Sequence, residues 1–203
     1  MNSQQLKSKL NQVKVNKASF GTDETGETIN SFFRELSIDG QSISLKFSGT
    51  LNSPPKYYEN NFGNHISMAV KLDSSTVQVL NGLVVRLYEG CPDDEEWTSK
   101  APVNDKNVIV IKLGTKNMKF RAEINGSNVS PMNLDVGLEV GSKVQVTANL
   151  GCWYMMNREN KYGISINTKS IVFGDQVSTG GRKKKETTVI EQLELADEEV
   201  IIK

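Results

Sequence analysis

Alternating apolar and polar residues along much of the chain predict a protein built mainly of β-strands, because successive side chains of a strand point to opposite faces. Residues 41–48 and 65–72 alternate most regularly. Their inward residues are Ile43, Leu45 and Phe47 in the first stretch and Ile66, Met68, Val70 and Leu72 in the second. Three more strands are predicted: one at 29–36 with Phe32 or Phe33 inward, a central one at 107–113 that is apolar on both faces, and one at 118–124.

Two further alternations, at residues 143–148 and 163–169, flank a polar stretch and predict a β-hairpin. The residues expected on its buried side are Val144, Val146 and Ala148 on the first strand and Ile164 and Ile166 on the second. The hairpin is the longest regular pattern in the chain, so the rest of the domain is expected to form around it.

Trp153 and Tyr154 are neighbours at the end of the first hairpin strand, so their side chains point to opposite faces. We expect one of them to lie outside the core. Two arrangements are open. Either both rings pack under the hairpin turn, or an exposed ring stacks on bases while Arg158 and Lys161 neutralise phosphates.

Residues 49–64 are interpreted as a long irregular loop, because they contain Pro54-Pro55 and turn-forming residues. Tyr57 and Tyr58 lie within it. These rings either fold back as a small satellite cluster or form a second stacking surface.

Residues 73–90 predict the one long helix. The residues that recur at helical spacing as a core-facing stripe are Val77, Leu80, Val84, Leu87 and Tyr88. Ser75 and Gln78 match a capping box at its start, and Gly90 suits a left-handed residue at its end. Gly82, in the middle, predicts close packing against the sheet.

The elements predict one domain at residues 29–175, an N-terminal arm and loop at 1–28, and a flexible tail at 176–203. The arm either forms a short helix through Leu6, Leu10 and Val13 or stays mobile. The chain has 24 basic and 24 acidic residues and no net charge. From Glu186 onward there are six acidic residues and one lysine, a net charge of −5, so the remainder carries +5.

The sequence predicts no enzyme, no cofactor and no metal site. His65 is the only histidine, the acidic run 93–96 lacks ligand spacing, and there is no phosphate-binding loop or nucleophile elbow. Cys91 and Cys152 are far apart, which favours a reducing compartment. No apolar stretch is long enough to span a membrane and no secretory signal is present, so we expect an intracellular protein of the host cytoplasm or a viral replication site.

The hairpin also resembles a known family. The order GSKVQV, CWYMMN, a short polar turn and KYGISINTKSIVF at residues 141–173 is similar to the C-terminal hairpin of phage-type single-stranded-DNA-binding proteins and their relatives in large DNA viruses. The resemblance implies an OB-fold with an acidic C-terminal tail. The expected fold is therefore mainly β, an OB-like antiparallel five-stranded barrel with one capping helix and extra strands or loops.

The expected binding residues are the rings and the outward cations of this domain. The rings are Trp153, Tyr154, Tyr57 and Tyr58, and the cations are Lys46, Lys71, Lys112, Lys119, Arg121, Arg158 and Lys161. Stacking and phosphate neutralisation together hold single-stranded DNA without reading its sequence. The expected function is to coat and protect single-stranded DNA in viral or phage DNA replication, recombination or repair. RNA stays open, since the same contacts serve either polymer.

The acidic tail is expected to recruit replication proteins and to compete with DNA for the basic face. Its partner-binding residues are Glu191, Glu194, Asp197, Glu198 and Glu199. A homo-oligomer stays open. The alternative to a nucleic-acid-binding protein is a non-enzymatic virion or assembly protein whose rings contact other proteins.

Overall fold

The computed structural model describes residues 1–27, 29–58, 65–93, 95–114, 121–130, 134, 138–156 and 158–174. The helical elements are α1 (Ser3–Lys7), a 3₁₀ turn (Leu10–Gln12), α2 (Ser74–Leu87) and a second 3₁₀ turn (Tyr88–Gly90). The strands are β1 (Ser31–Glu35), β2 (Ser37–Ile38), β3 (Gln41–Ser42), β4 (Ser44–Tyr58), β5 (His65–Leu72), β6 (Thr98–Ser99), β7 (Val108–Gly114), β8 (Arg121–Ile124), β9 (Ser127–Val129), β10 (Lys143–Met155) and β11 (Lys161–Phe173). The prediction of a mainly β protein with one long helix is confirmed.

Nine strands pair in the order β7-β5-β4-β10-β11-β8-β9, with β1 on β10 and β6 on β11. The strands β6 and β8 both run parallel to β11, so the sheet is mixed. In the described part of the chain the order ends at β7 and β9, and the sheet is not closed into a barrel. The prediction of an antiparallel barrel is therefore corrected. Alternation along a strand shows which face is buried, but it does not show the direction of the neighbouring strand.

The chain divides into two compact units, and unit 1 consists of Met1–Phe47, Leu72–Ile109 and Thr147–Thr168. Its N-terminal segment packs on α2. The Ser3 and Thr76 hydroxyls share a hydrogen bond of 2.8 Å, and Leu6 is completely buried. A Cβ at Gly82 would lie 2.8 Å from Leu10 Cδ1, so this glycine admits the N-terminal segment and not the sheet. The domain limits predicted at residues 28 and 175 stay a prediction.

The helix α2 confirms the predicted helix but not its predicted ends. Its N-cap is Asp73, whose carboxylate accepts a hydrogen bond of 2.7 Å from the Thr76 backbone N–H. The predicted capping box of Ser75 and Gln78 is therefore wrong. Gly90 does not adopt a left-handed backbone conformation. A glycine is required there because a Cβ would collide with the ring and hydroxyl of Tyr154.

Two strands differ from their prediction. The strand β4 continues from Ser44 to Tyr58 through the stretch interpreted as a loop. It does so because the Leu51 N–H bonds to Ser142 O and Ser53 Oγ accepts from Ala69 N–H, which anchors the strand on both sides before the prolines. The strand β7 lies at one end of the described sheet, with Val110 59% exposed, so it is an edge strand and not a central one.

Unit 2 consists of Ser48–Lys71, Val110–Val146 and Lys169–Lys203, as far as these are described. Parallel pairing of β8 with β11 sets Ala122 beside Ile171 and Ile124 beside Phe173, and all four side chains are buried. The other buried apolar residues of this unit are Leu51, Ile66, Met68, Val70, Ile111, Leu113, Val129, Leu134, Leu138, Val144 and Val146. Within the described residues, no helix combines the length and apolar character that a bilayer crossing requires.

Candidate nucleic-acid interface

Antiparallel pairing of β1 with β10 places Phe33 directly opposite Trp153. Residues that face each other across two strands project from the same face of the sheet. The neighbours of Trp153 along the chain, Cys152 and Tyr154, are both buried, so Trp153 and Phe33 lie on the face that points away from the core. Phe33 is 61% exposed and Trp153 is half-buried. We call this pair the outer aromatic pair.

The Trp153 ring is held in place by β11. A Cβ at Gly163 would lie 2.8 Å from Trp153 Cζ2 and 3.0 Å from Cε2, so the indole covers a residue without a side chain. The indole Nε1–H donates to Ile164 O at 3.3 Å. One face of the ring therefore rests on backbone and one edge is hydrogen-bonded. A ring fixed in this way loses little rotamer freedom when a flat ligand stacks on it.

Tyr154, the next residue, is completely buried and belongs to the core of unit 1. Its hydroxyl donates to Leu87 O at 2.7 Å. Its ring lies 6.0 Å from Phe32, 6.1 Å from Trp97 and 6.0 Å from Tyr162, and Trp97 stacks on Phe20. Burial raises the pKa of the Tyr154 hydroxyl well above its usual value. A sealed ring cannot stack on a base, so the expectation that Tyr154 binds nucleic acid is corrected.

Unit 1 holds three of the predicted cations, and all three are exposed. Lys46 lies between the buried residues Leu45 and Phe47, so it projects away from the core. Lys161 and Gly163 are two residues apart on β11, so they lie on the same face of the strand, and Gly163 lies under the Trp153 ring. The Lys161 ammonium lies 2.6 Å from the Glu159 carboxylate. Arg158 is in the turn between β10 and β11.

Unit 2 holds the other predicted rings, at the far end of β4. Tyr57 is 41% exposed and Tyr58 is 46% exposed. The Tyr58 ring stacks on the His65 ring with centroids 5.4 Å apart and planes 16° from parallel. The prediction that these tyrosines lie in a loop is wrong, but both rings remain partly accessible. His65, expected to have an ordinary surface role, covers one face of Tyr58.

The predicted cations of unit 2 differ in their surroundings. Lys71 and Lys112 are exposed. The Arg121 guanidinium is 2.9 Å from the Glu123 carboxylate and donates to Asn128 Oδ1 at 3.0 Å, so part of its charge and one donor are already engaged. Lys119 lies outside the described residues, as do all the residues of the acidic tail.

Phe33 is the site residue that the sequence-based prediction did not include. The signal was present: Phe32 and Phe33 are adjacent in a predicted strand, so one of the two rings must point outward. The structure shows that Phe32 packs toward Tyr154 and carries the Arg34 guanidinium 5.4 Å above its ring. Phe33 is therefore the outward ring, and its register with Trp153 is visible only in the fold.

The two cysteines are buried and free. Burial raises the pKa of the Cys91 thiol to about 11, although the charge of Lys17 opposes this shift. Burial likewise raises the pKa of Cys152. Among the described residues no three His, Cys, Asp or Glu side chains come together as metal ligands would.

Solved structures similar to this chain include two phage proteins. One is gp2.5, a single-stranded DNA binding protein encoded by bacteriophage T7, with a TM-score of 0.44 and 14% identity over 71% of this chain and 98% of that chain. The other is the single-stranded DNA-binding protein from bacteriophage Enc34, with a TM-score of 0.43 and 12% identity over 85% of this chain and 96% of that chain. No protein-family model matches the chain, and no curated protein matches it. Both are phage single-stranded-DNA-binding proteins, and the hairpin sequence resembles that class.

Proposed function

We propose that this protein binds single-stranded DNA without sequence preference through the outer aromatic pair of unit 1. The observation that carries the proposal is the register of Phe33 with Trp153, which leaves two adjacent rings on an exposed sheet face. Bases of any sequence stack on such rings for roughly 1–3 kcal/mol each. Sequence-independent binding follows, because every base offers a flat face and no base edge needs to be read.

Cations of unit 1 supply the second half of the interaction. Lys46, Arg158 and Lys161 are exposed, and Lys46 projects away from the core, as the outer aromatic pair does. Neutralising phosphates releases counterions from the nucleic acid, so binding weakens as salt is added. In unit 2, Tyr57, Tyr58, Lys71, Lys112 and Arg121 are candidates for further contacts with DNA, and Lys119, outside the described residues, stays a prediction.

We further propose a biological role for this binding. The protein coats and protects single-stranded DNA during viral or phage replication, recombination or repair, in an intracellular compartment, and its fold belongs to the OB-like class. The tail residues Glu191, Glu194, Asp197, Glu198 and Glu199 recruit replication proteins. These points extend the family resemblance of the hairpin to this chain.

Titration of the full chain with oligo-dT tests the function, with intrinsic tryptophan fluorescence as the readout. Stacking on Trp153 quenches its emission. We expect Trp153→Ala and Phe33→Ala each to weaken binding by about 1–3 kcal/mol. Their affinities are measured by the fluorescence anisotropy of a dye-labelled oligo-dT, because Trp153→Ala removes the ring whose emission is quenched. Val85→Ala is the matched control, because Val85 is an apolar side chain of unit 1 that is 73% exposed on α2. Affinity that is unaffected by salt, or lost equally in the control, would contradict the proposal.

Two further titrations separate the alternatives. Equal affinity for oligo-U and oligo-dT indicates that the surface serves RNA as well. Absence of any complex with either polymer at low salt favours a virion or assembly protein whose rings contact protein.

A truncation tests the tail. If its carboxylates compete with phosphates for the basic face, deleting residues 186–203 removes a net charge of −5 and tightens DNA binding at low salt. Unchanged or weaker binding by the truncated chain would argue against competition while leaving the outer aromatic pair in place.

A further inference from the structure

The strand β1 pairs with β10 along one edge only, and no strand in the described part of the chain pairs with its other edge. The direction of its backbone groups follows from two hydrogen bonds. Leu36 N–H donates to Leu150 O, and Met156 N–H donates to Asn30 O. The pairs Leu36–Leu150 and Asn30–Met156 continue the register in which Phe32 faces Tyr154. The even-numbered residues of β1 therefore exchange backbone hydrogen bonds with β10.

The odd-numbered residues of β1 therefore present their backbone groups outward. These are the N–H and C=O groups of Ser31, Phe33 and Glu35. An unpaired strand edge is a template for another strand. Its outer face also carries two exposed apolar side chains, Phe33 and Met155.

We infer that the occupant of this edge is β1 of a second copy of the chain, antiparallel and centred on Phe33. In that register Phe33 meets its own counterpart, and Ser31 meets Glu35 of the other copy. All three facing pairs consist of residues with outward backbone groups, so they form hydrogen-bonded pairs across a two-fold axis.

Charge and ring chemistry favour this register. Arg34 would lie opposite Phe32 of the other copy, and its guanidinium already lies 5.4 Å from the Phe32 ring of its own chain, so a cation faces a cluster of rings across the pairing. Glu35 lies opposite Ser31, so the two glutamates do not face each other, nor do the two arginines. Two copies of β1, with the sequence SFFRE, can therefore pair antiparallel without placing like charges opposite each other.

The pairing has a consequence for the proposed DNA surface, and this consequence rests on the proposed function. Trp153 and Phe33 of one copy and Phe33 and Trp153 of the other would lie on four adjacent strands of one continuous face. Neighbouring strands are about 4.8 Å apart, so the four rings would span roughly 14 Å. One strand of DNA could then stack across both copies.

Sedimentation of the full chain without DNA tests the pairing apart from the function. We expect a reversible monomer–dimer equilibrium. Ser31→Pro removes an outward N–H at the first position of an edge strand, where proline is tolerated. The two-fold axis repeats each lost bond, so dimerisation should weaken by roughly tenfold or more. Ser31→Ala, which keeps the N–H, is the matched control and should dimerise as the natural chain does.

Engineered cysteines test the register. Facing residues of a hydrogen-bonded pair have Cα atoms about 5.5 Å apart, within the range of a disulfide. A mixture of Ser31→Cys and Glu35→Cys chains should cross-link on mild oxidation, and each chain alone should not. Cys91 and Cys152 are buried and do not interfere.

The inference would be overturned by a monomer at every concentration, by a dimer that Ser31→Pro leaves intact, or by cross-linking of either single variant in preference to the mixture. A full chain that is monomeric but dimerises after deletion of residues 175–203 would also overturn it, because the tail would then be the occupant. The Ser31→Pro chain keeps both rings, so its titration with oligo-dT shows whether DNA binding fails separately.

Discussion

The two faces of β10 use consecutive aromatic residues for opposite purposes. On the inner face, Tyr154 is completely buried against the rings of Phe32, Trp97 and Tyr162, and its hydroxyl donates a hydrogen bond to Leu87 O. On the outer face, Trp153 rests on Gly163 and lies beside an exposed Phe33. The difference shows that aromatic content alone does not identify a stacking surface. What matters is a rigid support on one side of the ring and solvent on the other.

The largest effect expected from this comparison is on stability. Tyr154→Ala removes a completely buried ring and should lower the free energy of unfolding by about 3–5 kcal/mol, measured by urea denaturation. The matched outer-face variant, Trp153→Ala, should lose much less. If the two variants are destabilised equally, the faces do not differ in the way described. Tyr154→Phe, which keeps the ring, should lose only the hydrogen bond, about 1 kcal/mol.

The next largest effect is expected at alkaline pH, where the buried Cys91 of unit 1 should lower the stability of the fold. The pKa of Cys91 is raised from 9.0 to about 11, so in this range the unfolded chain loses its proton before the folded chain does. The contribution of Cys91 to stability is constant below about pH 9 and falls by on the order of 2 kcal/mol as pH rises to about 11. Urea denaturation at a series of pH values measures this decline. The Cys91→Ala chain should show a shallower decline, and an identical decline would refute the assignment to Cys91.

A smaller effect is expected when the support of the outer ring is changed. Gly163→Val inserts a side chain where Trp153 Cζ2 lies 2.8 Å from a Cβ position, so the indole must move. Oligo-dT affinity should fall by part of the roughly 1–3 kcal/mol that a stacked ring provides. Asn167→Val, an exposed position of the same parity on β11, is the control and should bind normally. Normal binding by Gly163→Val would mean that the position of the indole is unimportant.

The smallest effect concerns a single charge on the outer face. Lys161→Ala removes an exposed lysine whose ammonium lies 2.6 Å from the carboxylate of the exposed Glu159. Exposed ion pairs contribute little to folding, so urea denaturation should not distinguish the variant from the natural chain. If Lys161 neutralises one phosphate, the slope of log affinity against log salt should become shallower by about 0.7. An unchanged slope would remove Lys161 from the interface.

Much of the fold can be predicted from the sequence, because a strand that buries one face alternates apolar and polar residues with a period of two. The inward residues predicted at 41–48 and 65–72 are all buried, and so are Val144, Val146 and Ala148. Ile164 and Ile166 are only half-buried, whereas Ile171 and Phe173 further along β11 are buried. Near the start of β11 an even-numbered residue, Tyr162, is buried, whereas near its end the odd-numbered Ile171 and Phe173 are buried. The local sequence pattern does not show where this change occurs.

Other features depend on contacts between distant residues. The edge position of β7 and the parallel pairing of β8 with β11 are set by neighbours far away in the chain. The site shows the same division. Because Trp153 and Tyr154 are adjacent in a strand, the sequence predicts that their rings lie on opposite faces. Which ring is buried depends on the pocket that Leu87 and Gly90 provide for Tyr154.

The chain has two tryptophans, and the structure gives them different environments. Trp97 is buried against Phe20 and Tyr154, while Trp153 lies half-buried on the opposite side of the hairpin strand. The protein therefore carries two intrinsic optical probes. Emission from the interior indole should follow unfolding, and emission from the surface indole should follow loading with ligand. Single-tryptophan variants would allow each process to be recorded in the presence of the other.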